Sequence, residues 1–212
     1  MVLNPQQSFA VALNYRNHAE EMKLASAKQP TIFTKWASSL CGPNDELRIP
    51  CDLTDFEAEL VDVLGTTARE LSVENALAAV AGDCVGQDFS DRASRTQGAP
   101  AQYTLGKSYR HLFPFGPWLT TADESAYPND LSIQCGVSGV EYQSSMTSDM
   151  VFSVAGIVSD LSHVVEPRPG DLIFTGCPHG AGQGQTPPRF LKPGERVVTE
   201  IGRLGDVENE AA

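Results

Sequence analysis

Residues 55–65 read Asp55-Phe56-Glu57-Ala58-Glu59-Leu60-Val61-Asp62-Val63-Leu64-Gly65. On a strand, side chains two apart share a face, so Glu57 and Glu59 project side by side. Two carboxylates at that spacing repel unless a cation lies between them. The competing reading is an exposed edge strand with solvated glutamates, since Glu is rarely buried without a partner. A third carboxylate, Asp88, stands in Val85-Gly86-Gln87-Asp88-Phe89-Ser90-Asp91-Arg92, at the end of the next expected strand. Pairing of the two strands brings it to Glu57 and Glu59. Three oxygen ligands, with water or substrate filling the rest of the shell, suit Mg2+ or Mn2+, whereas zinc would draw His or Cys.

A second constellation is His18 with Glu21 in Asn14-Tyr15-Arg16-Asn17-His18-Ala19-Glu20-Glu21-Met22. Positions three apart share a helix face, so the carboxylate can orient the imidazole and raise its basicity, giving a base able to activate water near neutral pH. Two other motifs fail. Gly106-Lys107-Ser108 imitates the end of a phosphate-binding loop, but Ala101 stands where its first glycine belongs and no glycine-rich cradle lies between. Gly180-Ala181-Gly182-Gln183-Gly184-Gln185 has Gln where a dinucleotide fingerprint needs its third glycine, and reads as a loop at a pocket rim.

These residues need short elements to carry them. With 18 Gly and 14 Pro in 212 residues, about one residue in seven can punctuate the chain, which excludes long bundles and coiled coils. Strands are expected at 57–64, 82–89, 131–138, 171–176 and 196–202. A polar helix over 14–24 is expected at the surface, with amphipathic helices over 73–80, behind Ser72 as N-cap, and 150–162. No repeat or linker divides the chain, so residues 1–212 read as a single β-rich α+β domain.

Composition narrows the partners. Lys and Arg number 15 against 27 Asp and Glu, a formal charge of −12, which argues against a surface that tracks phosphates, hence against nucleic acid. Five scattered cysteines without a Cys-x-x-Cys pair indicate neither a disulfide framework nor a thiolate zinc site. No membrane-length apolar run or targeting leader is evident, so a soluble cytoplasmic protein is expected.

The blocks Asp55-Phe56-Glu57-Ala58-Glu59-Leu60, Gly86-Gln87-Asp88-Phe89-Ser90-Asp91-Arg92, Leu105-Gly106-Lys107-Ser108, Gly116-Pro117-Trp118-Leu119, Thr147-Ser148-Asp149-Met150 and Pro169-Gly170-Asp171-Leu172-Ile173-Phe174-Thr175-Gly176 occur in that order. Together they resemble the fumarylacetoacetate hydrolase family over nearly the whole chain. The resemblance implies the mixed β-sandwich roll of that family's C-terminal domain, usually homodimeric, with Glu57, Glu59 and Asp88 as the metal triad. It also implies that His18 and Glu21 sit on a lid closing over the substrate, that the Lys107 ammonium faces an enolate or oxyanion, and that Arg92 belongs to the substrate site.

Two positions depart from the pattern. Acylpyruvate-cleaving members carry Gln seven residues after the metal Asp, to hold the nucleophilic water; here Arg95 stands there, with Gln97 two positions out of register. A guanidinium donates hydrogen bonds but accepts none, so Arg95 fits a substrate carboxylate better than a water. Cys177, in Thr175-Gly176-Cys177-Pro178, replaces the family's substrate-contacting Thr with a weaker donor. The leading expectation is metal-dependent hydrolysis of a carbon-carbon bond in a 1,3-diketo, acylpyruvate-like acid. The alternatives are a tautomerase, decarboxylase or dehydratase, that is, an isomerase or lyase acting on an oxo acid through an enolate without water attack, and a catalytically silent binding protein.

Overall fold

The computed structural model describes residues 5–25, 27–96, 102–124, 128 and 130–212, apart from the side chains of Arg95 and Thr96. The chain begins with β1 (Ser8–Ala12), α1 (Arg16–Glu21), β2 (Thr31–Thr34), β3 (Leu40–Cys41), β4 (Thr54–Asp55) and β5 (Ala58–Leu64). It continues through α2 (Val73–Ala76), β6 (Val80–Gln87), β7 (Ser90–Asp91), α3 (Arg92–Thr96), α4 (Tyr103–Gly106) and β8 (Phe113–Thr121). The remainder comprises β9 (Ser132–Val137), β10 (Val140–Met146), α5 (Val154–Ser162), β11 (Leu172–Phe174), β12 (Arg196–Ile201) and β13 (Gly205–Glu210).

A mixed seven-stranded sheet runs β2-β1-β11-β5-β6-β8-β3, and an antiparallel four-stranded sheet runs β10-β9-β12-β13. The large core fills the space between them, with Leu60, Leu64, Val85 and Ile173 on one side, Ile133, Val197, Ile201 and Val207 on the other, and Ile157 and Val158 of α5 beside them. The other face of the seven-stranded sheet carries a smaller cluster in which Val61, Val63, Phe113 and Phe174 meet. Every residue of β5 is therefore buried, as in strands covered on both faces. Gly86 belongs to that second face by necessity, since a Cβ there would come 2.4 Å from Val61 and 2.6 Å from the Phe174 ring.

The expected β-rich α+β class holds, with local differences. The polar helix expected over 14–24 shortens to Arg16–Glu21 and is not a mere surface element: Asn14, Tyr15, His18 and Ala19 are all buried. Asn14 ties its entry down, donating from Nδ2 to the carbonyls of Thr175 (2.8 Å) and Phe152 (3.0 Å). The helix expected from 150 begins only at Val154, behind an Ser153 N-cap that accepts from the Gly156 amide. Residues 151 and 152 form a bend instead, their N–H groups donating to the Asn14 carbonyl and Oδ1. The helix over 73–80 ends after one turn, then passes through a 3-10 turn into β6, and Ser72 makes no side-chain cap bond. Strands β1, β2, β3, β4, β7, β8, β10 and β13 have no counterpart among the expected elements.

One feature of β5 and β6 is independent of the candidate site. Asp62 and Asp83 are direct cross-strand neighbours and both are buried. Burial first, then the charge and hydrogen bond of Asp83, push Asp62 well above the usual carboxylate range. The folded chain thus holds a proton that the unfolded chain releases near the ordinary Asp value of about 3.9, so stability falls as pH rises from there through the raised folded value. Asp62→Asn removes this loss. The variant is expected to melt above the wild type at about pH 8, by about 2–4 °C per kcal/mol recovered, with the gap closing toward about pH 4. Thermal melts across that range check it, and a gap that widens on acidification would refute it.

Candidate active site

The pairing of β5 with β6 does what the spacing of the acidic residues anticipates. The register sets Ala58 opposite Gln87 and Glu59 opposite Gly86. Beyond the strand ends, the Asp88 amide donates to the Glu57 carbonyl at 2.9 Å, and the Glu57 amide donates to Gln87 Oε1 at 2.8 Å. Glu57, Glu59 and Asp88 consequently line one cavity, which they share with His18, Lys107 and Cys177. The solvated-edge alternative fails, because Glu57 is 6%, Glu59 2% and Asp88 0% exposed.

Burying carboxylates together requires cations with them. Lys107 Nζ bridges Glu57 Oε2 at 2.5 Å and Asp88 Oδ2 at 2.6 Å. Arg92 joins Asp55 at 2.7 Å to Glu57. Lys35, absent from the residues singled out in the sequence, pairs with the remaining Asp88 oxygen and rests its ammonium 3.3 Å from the Phe113 ring centroid. Burial would raise Glu57, but the charges of Arg92 and Lys107 outweigh it and hold the carboxyl well below its ordinary range. Burial lowers Lys35 to about 8, partly countered by Asp88.

Glu59 differs from its neighbours. Its Oε2 accepts the Gly176 amide at 2.9 Å, but among the described residues no cationic side chain forms an ion pair with it. Burial, then Asp88 and Glu57, raise it well above the usual range. One oxygen from each of Glu57 and Glu59 and the Cys177 sulfur lie within 4.8 Å of one another, all buried. This donor set fits a divalent cation. A cation there would favour the ionised form of Glu59, against which burial and the neighbouring carboxylates act.

His18 Nδ1 lies 2.9 Å from Glu21 Oε2, as the spacing on α1 predicts. Burial would raise Glu21, yet its bonds to His18 and the Gly180 amide (3.0 Å) lower it, so the carboxylate stays charged beside the imidazole. With Nδ1 engaged by a carboxylate, Nε2 is left as the basic nitrogen. The loop after β11 packs directly on this pair: a Cβ on Gly184 would come 2.3 Å from the Glu21 carboxyl. The same loop is fastened from below, since Asp55 accepts the amides of Gly182 (2.7 Å) and Gln183 (3.0 Å) while it holds Arg92.

The structure therefore brings His18, Glu21, Glu57, Glu59, Asp88, Arg92, Lys107 and Cys177 to one place. Arg92 has Asp55 and Glu57 as partners, so it orders the acidic cluster from within. Arg95 belongs to α3, with its side chain outside the described residues, as is all of Gln97. Two residues missed in the sequence are Lys35 and Asp55. Lys35 follows the β2 run Thr31-Ile32-Phe33-Thr34, and a lysine ending an apolar strand was the available signal.

The sequence profile of the fumarylacetoacetate (FAA) hydrolase C-terminal family matches residues 7–212. A fumarylacetoacetate hydrolase domain-containing protein 2 homolog of Dictyostelium discoideum is 38% identical over 98% of this chain and 72% of its own length. The human mitochondrial oxaloacetate tautomerase FAHD2B is 39% identical over 97% of this chain and 66% of its own. Among solved structures, fumarylpyruvate hydrolase from Pseudomonas aeruginosa, in complex with Mn2+ and pyruvate, superposes with a TM-score of 0.90 at 29% identity, covering 100% of this chain and 91% of that one. The matched profile, these relatives and the shared fold together show that the chain belongs to the fumarylacetoacetate hydrolase family.

Proposed function

We propose that the protein is a divalent-cation-dependent hydrolase that cleaves the carbon-carbon bond of an acylpyruvate-like 1,3-diketo acid. The observation that carries this reading is the meeting, in one buried cavity, of the Glu57–Glu59–Asp88 cluster with an imidazole oriented by a carboxylate. A bound Mg2+ or Mn2+ supplies Lewis acidity toward a 2-oxo-carboxylate and its enolate. Glu57, Glu59 and Asp88 are its proposed ligands, and the Mn2+-bound relative supports a divalent ion without choosing between the two metals.

The remaining steps belong to the chain. His18 Nε2 takes a proton from water as the oxygen adds to the distal carbonyl carbon, and Glu21 stabilises the imidazolium that forms. The bond from that carbon to the neighbouring methylene then breaks, and its electron pair leaves as the pyruvate enolate. Lys107 faces the negative charge that develops, and the imidazolium returns its proton to the enolate carbon. Water, diketo acid and products thus balance as two acids. Arg92 holds Glu57 in place throughout, and the Cys177 region borders the substrate.

A second reading is favoured by the similarity to an oxaloacetate tautomerase and by Arg95 in place of a water-holding Gln. Tautomerisation needs the same proton shuttle without water attack. Products from acylpyruvates and oxaloacetate separate the two: two acids from an acylpyruvate support hydrolysis, whereas keto-enol interconversion or carbon dioxide alone rejects it.

We further infer a homodimer, supported by the exposed Trp118 beside Phe115 and Leu119 on β8, near the edge of the large sheet. Light scattering on the eluting peak should give twice the chain mass of 22.8 kDa. Among the described residues no helix is long and apolar enough to cross a membrane, and all five cysteines are free, which supports a reducing compartment such as the cytoplasm.

Two substitutions test the machinery. Glu57→Gln should abolish cation-dependent turnover while far-ultraviolet circular dichroism stays native; full activity in that variant with excess chelator would sink the cation. His18→Ala should lower kcat by about 10²–10⁴ with little change in KM, the range expected when a general base is lost. Steady-state kinetics measure this, and an unchanged kcat removes His18 from the reaction.

A further inference from the structure

Cys177 is the member of the cavity whose chemistry the proposed reaction does not use. The residue is 4% exposed, lines the cavity, and has its sulfur within 4.8 Å of one oxygen each of Glu57 and Glu59. Its place is fixed by backbone geometry. Gly176 has φ +94 and no room for a side chain, since a Cβ would come 2.8 Å from both Asn14 Cβ and the Val11 carbonyl. From that turn the Gly176 amide donates to Glu59 Oε2 at 2.9 Å, so the residue that follows is fastened to the acidic cluster. Both oxygens of Asp88 are paired, with Lys35 and Lys107, as are both of Glu57, with Arg92 and Lys107; it is the grouping of donor atoms that joins Cys177 to Glu57 and Glu59. Of the donors around Glu59, the sulfur is the one not committed to an ammonium.

We propose that Cys177 is a direct ligand for the cation held by Glu57 and Glu59, making this a mixed thiolate and carboxylate site that takes thiophilic divalent ions such as Co2+, Zn2+ or Cd2+ in preference to Mg2+. The inference rests on the reading of a cation site at these glutamates and goes beyond it by assigning sulfur to the ligand set. Hard ions select oxygen donors, whereas a thiolate raises the affinity for borderline and soft ions far more than for Mg2+. Metal–sulfur bonds of about 2.3 Å and metal–oxygen bonds of about 2.0–2.2 Å are compatible with donor atoms at these separations after small side-chain shifts. As the metal–sulfur bond forms, the S–H bond breaks heterolytically: its electron pair stays on Sγ and its proton passes to buffer. A Thr at this position, with a hydroxyl that holds its proton, would give a site of oxygen donors only.

The test is a titration of the full chain with Co2+, reading heat for stoichiometry and absorption for the ligand. Wild type should bind one equivalent and develop a sulfur-to-cobalt charge-transfer band in the near ultraviolet. Cys177→Thr and Cys177→Ser should bind Co2+ without that band, and should lose roughly tenfold or more in Zn2+ affinity while Mg2+ affinity changes little. Binding of one equivalent by the wild type with no band overturns the sulfur ligand alone and leaves an oxygen-donor cation site. A band of equal strength in both variants also overturns it, assigning the absorption to another cysteine. No Co2+ binding by the wild type overturns both this proposal and the cation-dependent reading. The wild-type spectrum alone decides the matter if a variant fails to fold.

Discussion

Four carboxylates, Asp55, Glu57, Glu59 and Asp88, are taken out of water in one cluster where the end of β6 meets the start of β5. Removing an ionised carboxylate from water costs several kcal/mol even after the protein relaxes, so such a group is tolerated only with compensating charge. Three buried cations provide it. Arg92 spans Asp55 and Glu57, Lys107 spans Glu57 and Asp88, and Lys35 takes the other side of Asp88. Four negative groups against three positive ones leave an excess, and it falls on Glu59, whose raised pKa reflects burial together with the Asp88 and Glu57 charges. Either a proton on Glu59 or a bound cation balances the cluster. The carboxylate without a cationic partner, more than the count of acidic residues, marks where a cation would fit the cavity.

The scaffold follows from the same constraint. A cluster of charges can be buried only where backbone amides and packed apolar groups close around it. Strand β5, covered on both faces, supplies that seclusion, and the absence of a side chain at Gly86 lets Phe174 pack beside Glu59. Phe174 stacks on Phe113 at 3.5 Å between centroids, and Phe113 in turn lies under the Lys35 ammonium. The aromatic cluster is therefore also a surface against which a buried lysine can remain charged, since ring faces attract cations most strongly where water is excluded.

Much of the site was legible in the sequence because its logic is local. Glu57 and Glu59 follow from strand alternation, and His18 with Glu21 from helical spacing, each within four residues. Asp88 needed only the pairing of two successive strands. Lys35 and Asp55 were not legible, because their roles exist only across long separations: Lys35 meets Asp88 53 positions away, and Asp55 meets the Gly182 amide 127 positions away. The missed strands have the same cause. β1 joins the large sheet by parallel pairing with β11, with Ser8 opposite Leu172, and no periodicity within residues 8–12 announces that partner. The burial of α1 was not legible because its polar residues suggest solvent on most faces, whereas Asn14 and Tyr15 anchor its entry in the core and His18 turns into the cavity.

These distant contacts connect the parts of the site that chemistry would have to coordinate. Asp55 holds Arg92 on one side and the amides of Gly182 and Gln183 on the other, so the acidic cluster and the loop after β11 share one carboxylate. That loop in turn donates the Gly180 amide to Glu21, whose other oxygen holds His18. A continuous chain of hydrogen bonds thus runs from Glu57 through Arg92, Asp55 and the loop to the imidazole. The consequence is positional. The candidate base and the candidate cation ligands stand on elements remote in sequence, α1 and the β5–β6 pair, and the glycine-rich loop between them fixes their separation. Glycines suit that task because backbone must approach both carboxylates closely: a Cβ at Gly182 would come 2.7 Å from Asp55 Oδ1, and one at Gly184 would strike the Glu21 carboxyl. The segment that fails as a dinucleotide fingerprint is in this way the spacer between the candidate base and the acidic cluster.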